Sequence, residues 1–184
     1  MQIDPAPPSN HGSGNARLLI VEPNRNALHV LAKRLGEVGY RIIACEDAGN
    51  AAAEMLRAPV DLVLAELRMN SVSGIALTRR IRDDTVLKDT PVILITGKGD
   101  SAGAVDGFAA GADDVVAKPF HFEVLAARIA RRISRARSVK ELRADNATLD
   151  ARVITRSLEL GEIRAALQQS EEERLRLQKL VSRG

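Results

Sequence analysis

Five short runs of β-branched and aliphatic residues, RLLIV (17–21), RIIAC (41–45), DLVLAEL (61–67), PVILIT (91–96) and DVVAK (114–118), alternate with longer amphipathic segments. This alternation limits the possible folds more than any other feature of the chain. Between the first two runs, Ala27, Val30, Leu31, Leu35 and Val38 recur three and four residues apart and end at Gly39, which predicts a helix. Similar patterns occupy roughly 49–57, 74–82, 103–110 and 121–134. Strands separated by helices imply right-handed crossovers and a parallel sheet covered on both faces. The expected fold class is therefore α/β, a doubly wound five-stranded parallel sheet. Cover on both faces also explains why the runs lack polar alternation.

The segment before the first run, MQIDPAPPSNHGSGNA (1–16), holds three prolines and two glycines and has neither a basic start nor an apolar h-region. It reads as a disordered tail. A globular domain over 17–134 and an extension over 135–184 follow. With 45% hydrophobic residues the 184-residue chain can bury one ordinary core. At 2% aromatic content and without Trp, that core is aliphatic and platforms for stacking nucleic-acid bases are scarce. No apolar run approaches the ~18 residues of a bilayer span, so a cytoplasmic location is expected. Cys45, the single cysteine, reads as a small buried thiol. His11, His29 and His121 lack metal-ligand spacing, GKGDSAGAVDG lacks the lysine-hydroxyl ending of a phosphate loop, and no Ser-His-Asp order emerges. Neither an enzyme nor a dedicated metal site is expected.

In a doubly wound sheet, functional side chains collect at the carboxyl ends of the strands. Here those ends carry Glu22 and Pro23, then Glu66, then Thr96 and Gly97, and finally Lys118 with Pro119. Together with LLIVEPNR, DLVLAELRMNSVSG, PVILITGKGD and GADDVVAKPF, they make residues 17 to 134 resemble the receiver domains of two-component response regulators. The resemblance implies strand order 2-1-3-4-5. It also implies that Glu66 stands where an aspartate is phosphorylated and that Glu22 and Pro23 stand where two acids sit. Thr96 and Lys118 occupy the hydroxyl and lysine positions, Val115 that of the switching aromatic, and Pro119 that of a cis proline.

The departures have physical consequences. Mg²⁺ needs near-octahedral oxygen ligation at roughly 2.0–2.1 Å, and proline offers no side-chain oxygen, so only weak binding at Glu22 and Glu66 is expected. Glutamate extends its carboxylate by one carbon–carbon bond, while a displacement of about 1 Å can cost roughly a hundredfold in phosphoryl transfer. The extended carboxylate either imitates part of an acyl phosphate beside Lys118 and Thr96, or pairs with Lys118 to satisfy a buried charge.

Beyond the domain, Val139, Leu142, Asn146, Leu149, Val153, Leu160, Ile163, Leu167, Leu177 and Val181 fall on positions alternating by three and four. Arg156, Ser170 and Arg174 complete this seam. The pattern predicts a coiled coil, and Asn146 at an a position favours a parallel dimer in one register. Flanking charges say less: Glu159 would face Arg164 favourably and Asp145 would face Asp150 unfavourably.

The expected function is that of an atypical, phosphorylation-independent response regulator. It would act as a dimeric interaction module toward a kinase or output protein in two-component or cyclic-nucleotide signalling. One alternative is a conventional receiver accepting phosphate at Glu66. A further alternative, DNA binding through RIARRISRARSVK (128–140), rests on six basic residues without an acid, against which Ile129 and Ile133 should face the sheet.

Overall fold

The computed structural model describes residues 16–70 and 72–181, with Glu173 and 175–181 as backbone only. The expected tail lies outside the described residues except for Ala16, which is fully buried and accepts a hydrogen bond from the Arg41 amide. Ala16 is part of the buried core.

The elements run β1 (Arg17–Val21), α1 (Arg25–Glu37), β2 (Arg41–Cys45), α2 (Ala48–Arg57), β3 (Leu62–Glu66), α3 (Gly74–Asp83), β4 (Val92–Thr96), α4 (Ser101–Ala109), β5 (Asp114–Ala117) and α5 (Phe122–Val181). All strand pairs are parallel, in the order β2-β1-β3-β4-β5. The expected doubly wound sheet is present. Each strand after the second is shorter than its apolar run, for local reasons. Asp61 uses its side chain to accept from the Arg17 amide, Pro91 has no amide hydrogen, and Lys118 precedes a proline. Helix α4 starts earlier than its hydrophobic pattern because Asp100 caps it, accepting from the Gly103 amide.

Alternation along the strands divides the core in two. Leu18, Ile20, Leu62, Leu64, Ile93, Ile95 and Val116 meet Leu28, Leu31 and Leu35 of α1 and Leu125, Ile129 and Ile133 of α5. On the other face Leu19, Val21, Val63, Ala65, Val92 and Leu94 meet Ala48, Ala51 and Met55 of α2 and Leu77 and Ile81 of α3. The expectation of strands covered throughout fails at the two edge strands: in β2 Ile42 and Ile43 are partly buried and Ala44 is exposed, and in β5 Val115 is partly buried and Ala117 exposed. Cys45, at the end of β2, is buried as expected, and burial pushes its thiol up, with Glu54 and Asp47 adding to the effect.

Two compact units divide between Arg137 and Ser138. Within the first, Asp114 engages Arg128 and Arg132 (2.9 and 3.5 Å), while Asp61 engages Arg137 (3.2 Å). Half of the basic residues of 128–140 are therefore held in ion pairs. The second unit is helical, and its seam side chains from Val139 to Leu167 are exposed within the single chain. The side chains of Leu177 and Val181 lie outside the described residues. Among the described residues, no helix is long and apolar enough to cross a membrane.

Candidate strand-end acid pocket

Strand parity decides which side chains meet. Glu22 continues the alternation of Leu18 and Ile20, Glu66 that of Leu62 and Leu64, and Lys118 that of Val116. All three arrive on one side of the sheet at its carboxyl edge, supported by the backbone bonds Glu22 N–H to Cys45 O, Leu67 N–H to Ile95 O and Lys118 N–H to Thr96 O. There the Lys118 ammonium bridges the two acids, donating to Glu66 Oε2 at 2.6 Å and to Glu22 Oε2 at 2.9 Å. Glu22 Oε1 accepts from the Asn24 amide at 3.0 Å. Both oxygens of Glu22 are thus engaged.

One ammonium between two carboxylates leaves the cluster with a net negative charge. Burial pushes the Glu66 carboxyl up, and the neighbouring Glu22 adds to this, against the opposing pull of Lys118. For Lys118, burial alone would favour the neutral amine, but hydrogen bonds and charges from Glu66 and Glu22 outweigh it and raise its pKa. The Lys118–Pro119 peptide bond is cis.

Thr96 belongs to a different environment. It continues the alternation of Val92 and Leu94, which face α3, and its buried hydroxyl donates to Asp100 Oδ2 at 3.0 Å. The hydroxyl expected beside Lys118 is thus engaged by Asp100, and the Thr96 carbonyl accepts from the Lys118 amide at 2.8 Å. Pro23 is exposed and brings no side-chain oxygen to the pocket. Val115 packs on the α4 side, close to Gly107. Asp100 and its partner Arg68 were not singled out by the sequence reading. The signal was an aspartate just before a helix in GKGDS, where a capping residue belongs.

The Mg²⁺ implied by the resemblance would have only Glu22 and Glu66 as side-chain ligands here, and would be held weakly: each Glu22 oxygen already accepts one hydrogen bond, Glu66 Oε2 accepts from Lys118, and Pro23 supplies no side-chain oxygen. Among the described residues no cluster of three or more His, Cys, Asp or Glu could hold a metal ion.

Comparison with known proteins agrees with the fold. A family model described as "Response regulator receiver domain" matches residues 18–130. The two-component response regulator PhoP of Pseudomonas aeruginosa is 39% identical over 113 residues, covering 61% of this chain and 49% of that protein. The transcriptional regulatory protein ResD of Bacillus subtilis is 32% identical over 143 residues, covering 78% of this chain and 58% of that protein. The chain thus spans about half the length of these curated relatives. A solved signal receiver domain of a signal transduction histidine kinase from Syntrophus aciditrophicus is 30% identical with a TM-score of 0.61, covering 65% of this chain and 90% of that one. The match over 18–130, carried on a sheet ordered β2-β1-β3-β4-β5, places the chain in the response regulator receiver family of two-component signalling.

Proposed function

We propose that this receiver works without phosphorylation, as a dimeric interaction module whose C-terminal helix pairs in parallel with that of a second copy. The observation that carries this reading is the Lys118 bridge to Glu66 and Glu22 at 2.6 and 2.9 Å, formed where Pro23 removes a cation ligand. The lysine that would meet a phosphoryl group is already neutralised, and an approaching phosphate meets a cluster of net negative charge. Of the two roles for Glu66, the charge partner of Lys118 has more support than the acyl-phosphate mimic. A mimic would need the Thr96 hydroxyl, which is engaged by Asp100.

The second copy is the occupant that best suits the exposed seam, because Val139, Leu142, Leu149, Val153, Leu160, Ile163 and Leu167 repeat at a and d with Asn146 among them. A kinase or output protein is then contacted by a constitutively assembled receiver. DNA binding through 128–140 is the weaker reading, since Arg128, Arg132 and Arg137 are held by Asp114 and Asp61.

The test is incubation with acetyl phosphate, or with beryllofluoride and Mg²⁺, followed by intact mass and sedimentation. The native chain should stay unmodified and dimeric, and the Pro23→Asp/Glu66→Asp variant should gain an adduct. A stoichiometric adduct on native Glu66 that changes assembly would overturn the reading.

A further inference from the structure

Asp100 gathers four hydrogen bonds. Oδ2 accepts from Thr96 Oγ1 at 3.0 Å and from Arg68 Nε at 2.7 Å, while Oδ1 accepts from Arg68 Nη2 at 2.8 Å and from the Gly103 amide at 3.0 Å. Three elements meet at this carboxylate: the loop after β3, the end of β4 and the first turn of α4. The two-pronged geometry of Arg68 fixes the carboxylate plane. That plane in turn directs the Thr96 lone proton toward α4, in keeping with the strand parity that already turns Thr96 away from Glu66 and Lys118.

We propose that Asp100, clamped by Arg68, is a positioning residue that commits the Thr96 hydroxyl to α4 and disconnects α4 from the acid pocket. The hydroxyl has one proton to donate, and while Asp100 takes it Thr96 cannot answer a change at Glu66. The guanidinium holds the Asp100 carboxyl well below the usual carboxylate range, so the latch stays charged at all physiological pH values. A plain helix cap would need only the bond to Gly103. The additional bonds to Thr96 and Arg68 distinguish a latch from a cap.

This inference does not depend on whether Glu66 accepts phosphate, which the mass measurement above reads separately. Its test is NMR on the full chain, reading the Thr96 rotamer from three-bond couplings to its methyl carbon and the exchange of the α4 amides. Asp100→Ser keeps an oxygen for the Gly103 amide but is too short to hold Thr96 and Arg68. Native Thr96 should show one rotamer; in Asp100→Ser it should average, with α4 exchange within about twofold of native, whereas losing the cap in Asp100→Ala speeds exchange about tenfold. Glu66→Gln should leave α4 exchange nearly unchanged in the native background and alter it about fivefold or more once Asp100→Ser is present. Arg68→Met, a change at an exposed side chain, should also release Thr96 and keeps the test available if Asp100→Ala fails to fold. A single Thr96 rotamer in both Asp100→Ser and Arg68→Met, or an equal effect of Glu66→Gln in both backgrounds, would overturn the latch.

Discussion

The pocket chemistry comes down to the balance around one lysine. Removing Lys118 leaves two carboxylates facing each other, while amidating Glu66 keeps an acceptor for the ammonium and removes the surplus charge. Lys118→Met should therefore cost about 2–3 kcal/mol in urea unfolding, at the low end for a broken buried pair because the lysine side chain is 38% exposed. Glu66→Gln should shift stability by less than about 1 kcal/mol at neutral pH. Their pH dependence differs in sign and window. The Glu66 pKa is raised on folding, so the folded state holds its proton longer, and stability falls as pH rises from about 4.3 through the higher folded value. Urea titrations across mildly acidic pH should show the native chain losing ground to Glu66→Gln as pH increases; a flat difference would contradict the assignment. Lys118 stabilises fully below about 10.4 and loses that contribution as pH rises through its own raised value. At this scale Glu22, Glu66 and Lys118 were legible in the sequence because each closes an apolar run at the carboxyl edge of the sheet, and counting by twos along those runs brings them to one side. The same count turns Thr96 away, a step that listing strand ends omits. Arg68 and Asp100 were hidden because their bond joins two loops across α3 and β4, and only the folded register sets that distance.

Among the elements, α3 illustrates how packing positions the site. Gly74 opens α3 against the end of β3, where an added Cβ would meet the Glu66 carbonyl oxygen, with Leu94 Cδ2 at 3.0 Å and Leu67 Cα at 3.1 Å. Backbone cannot yield as a side-chain tip can, so Gly74→Ala should destabilise by roughly 1–3 kcal/mol and displace Glu66 from Lys118. Paired urea unfolding and amide shifts at residues 65–67 would check both effects; loss of stability without a shift at Glu66 would separate packing from site geometry. Helix and strand types were legible because periods of 3.6 and 2 are strong over these lengths. Ends were not, since caps and prolines set them: Asp100 starts α4 before its apolar pattern, and Pro91 delays β4. In the long helix α5, Asn146 is the element-scale determinant of proposed partner number. Asn146→Val should raise the stability of the assembly and broaden it toward trimers and higher species, seen in sedimentation equilibrium. A variant that remained strictly dimeric would remove Asn146 from that role.

For the molecule as a whole, the division between Arg137 and Ser138 separates two sources of stability. The first unit rests on a buried aliphatic core on both faces of its sheet, which is complete within one chain. The second has exposed side chains along its described length, with Val139 at 39% and Leu160 and Ile163 at 54% and 56%. A helix with no tertiary cover depends on propensity alone, which is marginal in water, whereas each aliphatic buried in a seam adds roughly 1.5–3 kcal/mol. If the seam is filled by a second copy, the two units must respond differently to dilution. The probes are already in the chain: Tyr40 is its one tyrosine, there is no Trp, and Tyr40 is buried in the first unit. Tyrosine fluorescence therefore follows the sheet domain, and far-ultraviolet circular dichroism is weighted toward α5. Lowering protein concentration should move the helical transition to lower temperature by mass action and leave the Tyr40 transition in place. Leu149→Glu with Leu160→Glu should give the same separation at any concentration. Coincident, concentration-independent transitions in the native chain would mean that the helix is not held by a second copy, and the dimeric reading would fall while the receiver assignment stood.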